Sequence, residues 1–257
     1  MSVAEGPTRD DLMTVAAARA LRDGDVCFVG IGLPSTAANL ARLTRAPRTV
    51  LVYESGTIGS KPPNLPLSIG DGELAETADS VVPVTEIFNY WLQGGRIDVG
   101  FLGAAQIDRF ANLNSTVIGD YERPKVRLPG GGGAPEIASM AGQVIVIIRQ
   151  STRSFVERLD FRSSVGFGDG RGDRERLDMP GQGPMVVITD LGVLRPDPET
   201  KELTMTQVHP GVSADDAREA TGWDLQIAED LTETEPPGTE ELEELRRLKA
   251  TVEEVEA

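Results

Sequence analysis

The 257-residue chain has one cysteine, one histidine, few aromatic side chains and no apolar run long enough to span a bilayer. A single cysteine cannot close an internal disulfide, and Cys27 lies inside an apolar run, so it reads as core packing in a reducing compartment. His209 stands alone before Pro210 and Gly211, so no histidine or cysteine cluster exists to hold zinc, and a serine or cysteine relay through it has no visible partner. It reads as a structural histidine, and no metal is expected. Aromatic residues make up only 5% of the chain, and Trp91 and Trp223 read as packing rather than as base-stacking platforms. Positive charge is also short, with 25 Lys and Arg against 41 Asp and Glu. The resulting net charge of -16 repels phosphate backbones and argues against general nucleic-acid binding. The longest apolar runs, at 144–148 and 185–188, exclude a membrane span, and residues 1–11 are polar and acidic, so a cytoplasmic location is expected.

What is present is an alternation of short apolar runs and amphipathic stretches. Helices are expected at 8–22, 35–44, 86–93 and 135–141, and strands at 26–31, 49–53, 99–102, 143–148, 185–189 and, less clearly marked, 203–208. Strands separated by helices imply an α/β fold with a mainly parallel sheet covered on both faces. The charged, glycine-rich stretch 171–183 reads as a long loop, and no internal repeat is visible. Residues 1–228 are expected to form one domain. Residues 229–257 read as an acidic tail ending in a helix at 239–256, with Leu242, Leu245, Leu248 and Val252 at spacings of three and four, docked on the body or on a partner.

Glu54 is the most informative residue. It sits in Val50-Leu51-Val52-Tyr53-Glu54-Ser55-Gly56-Thr57-Ile58-Gly59, where an apolar segment ends on a carboxylate and drops into a glycine-interrupted loop. Loops beyond the carboxyl ends of strands are where open α/β sheets bind ligands. A strand-terminal glutamate that is solvated, or that caps the next helix, fits the same spacing. Three further glycine turns follow expected strands: Val29-Gly30-Ile31-Gly32-Leu33-Pro34, Leu102-Gly103-Ala104-Ala105-Gln106-Ile107-Asp108 and Leu128-Pro129-Gly130-Gly131-Gly132-Gly133-Ala134. Glycine before a helix lets backbone N–H groups approach a bound group and stabilise an anion or oxyanion. A carboxylate among such loops can attack a carbonyl and have the oxyanion held. Each turn also has a plainer reading. Gly30 and Gly32 lack the third glycine of a dinucleotide fingerprint, because Ser35 falls in its place; the four-glycine run could be a flexible linker; and Gln106 and Asp108 could form a simple turn.

These four segments, with Gly95-Arg96-Ile97-Asp98-Val99-Gly100-Phe101 leading into the third, resemble the β subunits of class I CoA-transferases over nearly the whole chain. Within that family the resemblance runs to the branch acting on 3-oxoadipate, with the glutaconate branch near by. It implies the family's α/β fold, an α subunit partner in an assembly such as α2β2, and CoA esters and dicarboxylates as substrates, with no other cofactor. The implied reaction moves CoA from succinyl-CoA to a dicarboxylate such as 3-oxoadipate. The family's glutamate attacks the thioester to give an acyl-glutamyl anhydride, and CoA thiolate then converts this to a glutamyl-CoA thioester. By motif, Glu54 matches that glutamate, Gly132 and Gly133 match the segment lining the CoA and oxyanion region, and Gly103, Ala104 and Gln106 match the loop beside the glutamate. Gly30 and Gly32 join this region as the first turn. The family's usual Ser-Glu-Asn-Gly is Tyr53-Glu54-Ser55-Gly56 here, a form that also resembles the glutaconate branch. Retention of Glu54 argues against the family's ring-opening hydrolases, which lack the glutamate. A CoA-ester hydrolase and a non-enzymatic module sensing phosphate ligands are the competing readings. Lys61, Arg123, Lys125 and Arg127 are candidates to meet dicarboxylate ends, or ordinary surface charges.

Overall fold

Side chains alternate across each central strand, and this makes the sheet two-faced. In the computed structural model, which describes residues 6–256 and side chains through residue 250, β1 (Val26–Phe28) sends Cys27 to one face and Phe28 to the other. The same division separates Leu51 from Val52 in β2 (Val50–Val52), Phe101 from Leu102 in β5 (Val99–Leu102) and Ile145 from Val146 in β10 (Gln143–Ile147). Helices α1 (Arg9–Ala20) and α2 (Leu33–Leu43) cover the Cys27 face with Met13, Val15 and Leu40. The opposite face is covered by α5 (Ala134–Met140), through Ile137 and Ala138, and by a helical segment that begins as α4 (Val84–Glu86) and continues as a π-helix over Ile87–Leu92.

The remaining elements are β3 (Thr57–Ile58), α3 (Gly72–Glu76), β4 (Ser80–Val81), the antiparallel pairs β6 (Gln106–Ile107) with β7 (Leu113–Asn114) and β8 (Val117–Gly119) with β9 (Pro124–Arg127), α6 (Asp173–Arg176), β11 (Pro184–Ile188), β12 (Gly192–Pro196), β13 (Leu203–Val208), α7 (Ala214–Glu219), β14 (Gln226–Glu233) and α8 (Thr239–Glu256). The ten-stranded main sheet runs β14-β13-β12-β11-β10-β5-β1-β2-β3-β4. Its centre, from β11 through β10, β5 and β1 to β2, is parallel, and antiparallel pairs flank it on both sides. The α/β class and the dominance of parallel pairing are as the sequence implied.

Several local expectations differ from the structure. The segment expected as one helix at 86–93 is split, with an α-helical first turn and a π-helical remainder. The stretch 171–183 is not loop throughout, because α6 forms one turn in it, preceded by Gly172 at φ 86°. Strand β12, helix α7 and strand β14 carried no expectation. Strand β14 pairs in parallel with β13 and runs across the boundary drawn between residues 228 and 229, so the main sheet continues past that boundary. Helix α8 lies where the sequence places it and buries Leu245 and Leu248 among α1 and α2 side chains. The side chain of Val252 lies outside the described residues.

Candidate active site

Three parallel strands place the site. β1 sits between β5 and β2, so the loops after their carboxyl ends emerge side by side. These loops carry Gly30 and Gly32, Glu54, and Gly103 and Ala104. The chain winds from β1 out to β2, β3 and β4, then crosses back to β5 on the other side of β1. A reversal of this kind is where open sheets bind ligands.

Glu54 stands two residues past the end of β2. Its neighbour Tyr53 is fully buried on the α2 side, its hydroxyl within hydrogen-bonding distance of Ser35 Oγ (3.2 Å) and accepting from Asn39 (3.5 Å). Burial pushes the Tyr53 phenol above its ordinary value. Alternation then turns Glu54 to the other face, toward α5 and the π-helix. A tight turn, with the Gly56 N–H donating to the Tyr53 carbonyl at 3.0 Å, brings the chain back as β3. The turn requires glycine at 56. Its φ is 107°, and a Cβ there would collide with the Val82 carbonyl oxygen, while Val82 N–H donates to Gly56 at 2.9 Å.

The glycine run reaches the same place from the α5 side. It is pinned rather than loose: Gly130 N–H donates to Ser115 (2.9 Å), Leu128 N–H to Thr116 (3.0 Å) and Ala134 N–H back to Gly131 (2.9 Å). Its last residue, Gly133, leads into α5. A Cβ built on Gly133 would lie 2.8 Å from Phe88 Cζ and 3.6 Å from Glu54 Cδ. Glycine at 133 therefore lets a ring and a carboxyl close around one point.

Glu54 is half-buried, and among the described residues no hydrogen bond or ion pair engages its carboxylate. The adjacent hydroxyls of Ser55 and Thr57 are shielded from solvent and also without hydrogen-bond partners among the described residues. A carboxylate held this way keeps its oxygen lone pairs free for attack on an electrophilic carbon.

The other expected residues fall into two groups. Gly30, Gly32, Gly103 and Ala104 lie on the loops beside Glu54, and Gly32 opens α2 without a side-chain cap. Gln106 points its amide elsewhere. It donates to Asp160 (2.9 Å) and accepts from Asn114 (2.7 Å), bracing β6 against β7 and the 160 region. Gly132, at φ 51°, leaves its Cβ direction open. Among the candidate cations, Lys61 pairs with Asp79 at 2.7 Å, and Arg127 donates to the Tyr121 carbonyl and stacks over that ring at 4.7 Å. Arg123 and Lys125 lie on the exposed β8–β9 hairpin. Away from the site, His209 is buried, its Nε2 donating to the Thr189 carbonyl (2.9 Å), which leaves Nδ1 to accept from the Thr234 hydroxyl (2.8 Å). Among the described residues no group of acidic, histidine and cysteine side chains is arranged to hold a metal ion, and no helix is long and apolar enough to cross a membrane. Phe88 was missed because its place beside Glu54 depends on the π-helical turn, and apolar spacing does not mark that turn in the sequence.

A pinned glycine run and an unpaired strand-end carboxylate thus meet beyond the carboxyl ends of parallel strands. A family model described as Coenzyme A transferase matches residues 11–220, and the chain belongs to that family. Over 241 residues, 94% of this chain and 93% of the relative, it is 62% identical to the B subunit of the 3-oxoadipate CoA-transferase of Pseudomonas knackmussii. The B subunit of the glutaconate CoA-transferase of Acidaminococcus fermentans is 36% identical over 90% of this chain and 88% of its own length. The crystal structure of the glutaconate coenzyme A-transferase from that organism superposes with a TM-score of 0.87 at 34% identity, covering 94% of this chain and 95% of that one. The chain is an enzyme subunit of the CoA-transferase class.

Proposed function

We propose that this chain is the β subunit of a CoA-transferase that moves CoA from succinyl-CoA to a dicarboxylate such as 3-oxoadipate, with Glu54 as the nucleophile. The 62% identity to the Pseudomonas knackmussii protein supports this acceptor. A glutaconate-type acceptor is the neighbouring choice, at 36% identity. The observation that carries the nucleophile is the half-buried, unpaired carboxylate of Glu54 beside Gly133 at the carboxyl edge of the sheet.

In this reading one oxygen of Glu54 attacks the thioester carbonyl, the C–S bond breaks, and CoA leaves as thiolate. The thiolate then attacks the glutamyl carbonyl of the anhydride and releases the donor acid, leaving CoA as a thioester on Glu54. The acceptor carboxylate attacks this thioester and expels CoA thiolate to give an acceptor–glutamyl anhydride, and the thiolate then attacks the acceptor carbonyl and releases Glu54 as carboxylate. Each step puts negative charge on a carbonyl oxygen, and backbone N–H groups on the glycine loops are suited to meet it. A weak nucleophile succeeds here only where approach is fixed and water is kept out. No cofactor beyond the substrate CoA is required. An α subunit, as in relatives named as subunits, completes the site, and the unpaired Cys27 fits a cytoplasmic setting.

Glu54→Ala in the complex assembled with the α subunit is expected to lower transfer by at least about a thousandfold while CoA-ester binding persists. Free CoA release measured with and without 3-oxoadipate separates transfer from simple hydrolysis. Acceptor-independent release as fast as transfer would assign the chain to hydrolysis instead.

A further inference from the structure

The acyl-enzyme of this site faces a competing reaction. Water attacking the glutamyl thioester breaks the C–S bond, returns Glu54 as carboxylate and releases CoA thiol and a proton, so the donor's activation is lost. Whatever lies against Glu54 decides how often that happens. We propose that Phe88 is the shielding residue: its ring forms the apolar wall that keeps water from acylated Glu54 and so sets the ratio of transfer to hydrolysis. This rests on Glu54 being the acylated group.

Four observations support it. The Phe88 ring edge and the Glu54 carboxyl carbon both lie within 3.6 Å of the single point that a Cβ at Gly133 would occupy. The ring is held there by the tilted packing of Phe28, from the end of β1, at 5.9 Å between centroids. Its presentation depends on the π-helical turn, closed by Gln93 N–H donating to the Phe88 carbonyl at 2.8 Å. The extra residue in that turn redirects the side chains after α4 while Ile87 and Leu92 stay fully buried as anchors, and π-turns of this kind recur at functional sites. Finally, Gln93 Nε2 donates to Glu136 on α5 at 2.5 Å, so the segment bearing the ring and the segment bearing Gly133 are tied together. Gly133 is thus bare because the ring fills the space beside it. A Cβ there would push the ring off, since the nearest ring atoms would stand at 2.8 and 3.0 Å.

The experiment uses the assembled complex with succinyl-CoA as donor, and reads acceptor-independent CoA release against transfer to 3-oxoadipate. Phe88→Ala is expected to raise the hydrolysis-to-transfer ratio at least about tenfold, and Phe88→Met, which keeps an apolar side chain of similar reach, to stay within about threefold of the native ratio. Gly133→Ala displaces the ring without removing it and is expected to raise the ratio in the same direction. It decides the matter should Phe88→Ala fail to assemble. A native ratio in folded Phe88→Ala or Gly133→Ala, even with slower turnover, would overturn the shielding role. Glu54→Ala run alongside keeps the two readings apart. If it still transfers CoA, the nucleophile is misassigned. If it is inactive while the Phe88 and Gly133 variants keep the native ratio, only the shielding inference falls.

Discussion

Glu54 is half-buried with no cation beside it among the described residues, because its strand delivers it to a face lined by glycine and a phenylalanine ring. Its position was legible in the sequence, since a strand end, a carboxylate and a glycine turn are all local signals. Phe88 was not legible, and Gln106 was placed in the wrong company, for the same reason. Both depend on partners distant in the chain, Gly133 for the ring and Asp160 for the amide. His209 shows the residue scale in stability rather than chemistry. Burial holds its pKa below the ordinary 6.5, with the Thr189 carbonyl opposing this. The unfolded chain therefore takes up this proton more readily than the folded one. The stabilisation is complete above about pH 6.5 and is lost as the pH falls below it. His209→Asn removes the titration, so the melting temperature of the native chain should fall relative to that variant between about pH 7 and pH 5.5. A difference independent of pH would contradict the buried neutral state.

Element by element, apolar periodicity was a good guide wherever an element buries one face. Helix α8 is such a case, with Leu245 and Leu248 entering the core of α1 and α2. Charge supplements this packing. Arg19 forks onto Glu241 at 2.9 and 2.6 Å, and Lys249 reaches Asp11 at 2.6 Å. These groups are partly solvated, so burial should dominate the docking. Leu245→Ala is expected to cost about 2–5 kcal/mol in urea unfolding, and Glu241→Ala no more than about 1 kcal/mol. The opposite order would mean that α8 is held by its ion pairs. Strand β14 escaped notice because it is an edge strand whose Glu229 and Asp230 face solvent, so its sequence has the polar, acidic character that protects edges from further pairing. The π-helical turn escaped because its side-chain spacing over so few residues does not separate it from an α-helix.

At the scale of the whole molecule, the α/β class could be read from alternating strand and helix signals, but the order of strands could not. That β5 returns to pair with β1 is a long-range event, and it is what sets the loops after β5, β1 and β2 side by side. Exposed Val81, Val84 and Tyr90 lie on the segment that carries Phe88, and half-buried Glu54 opens beside it. Transfer is accordingly expected only after mixing with the α subunit; full transfer by the isolated chain would show that this chain holds a complete site. The central claim is that Glu54 becomes covalently acylated, and borohydride trapping addresses it most directly. With succinyl-CoA present, the assembled complex should lose activity on reduction, and the peptide containing Glu54 should be recovered with its side-chain carboxyl converted to an alcohol, with neither change when the thioester is omitted. Recovery of that peptide unmodified from a complex that is turning over substrate would contradict it.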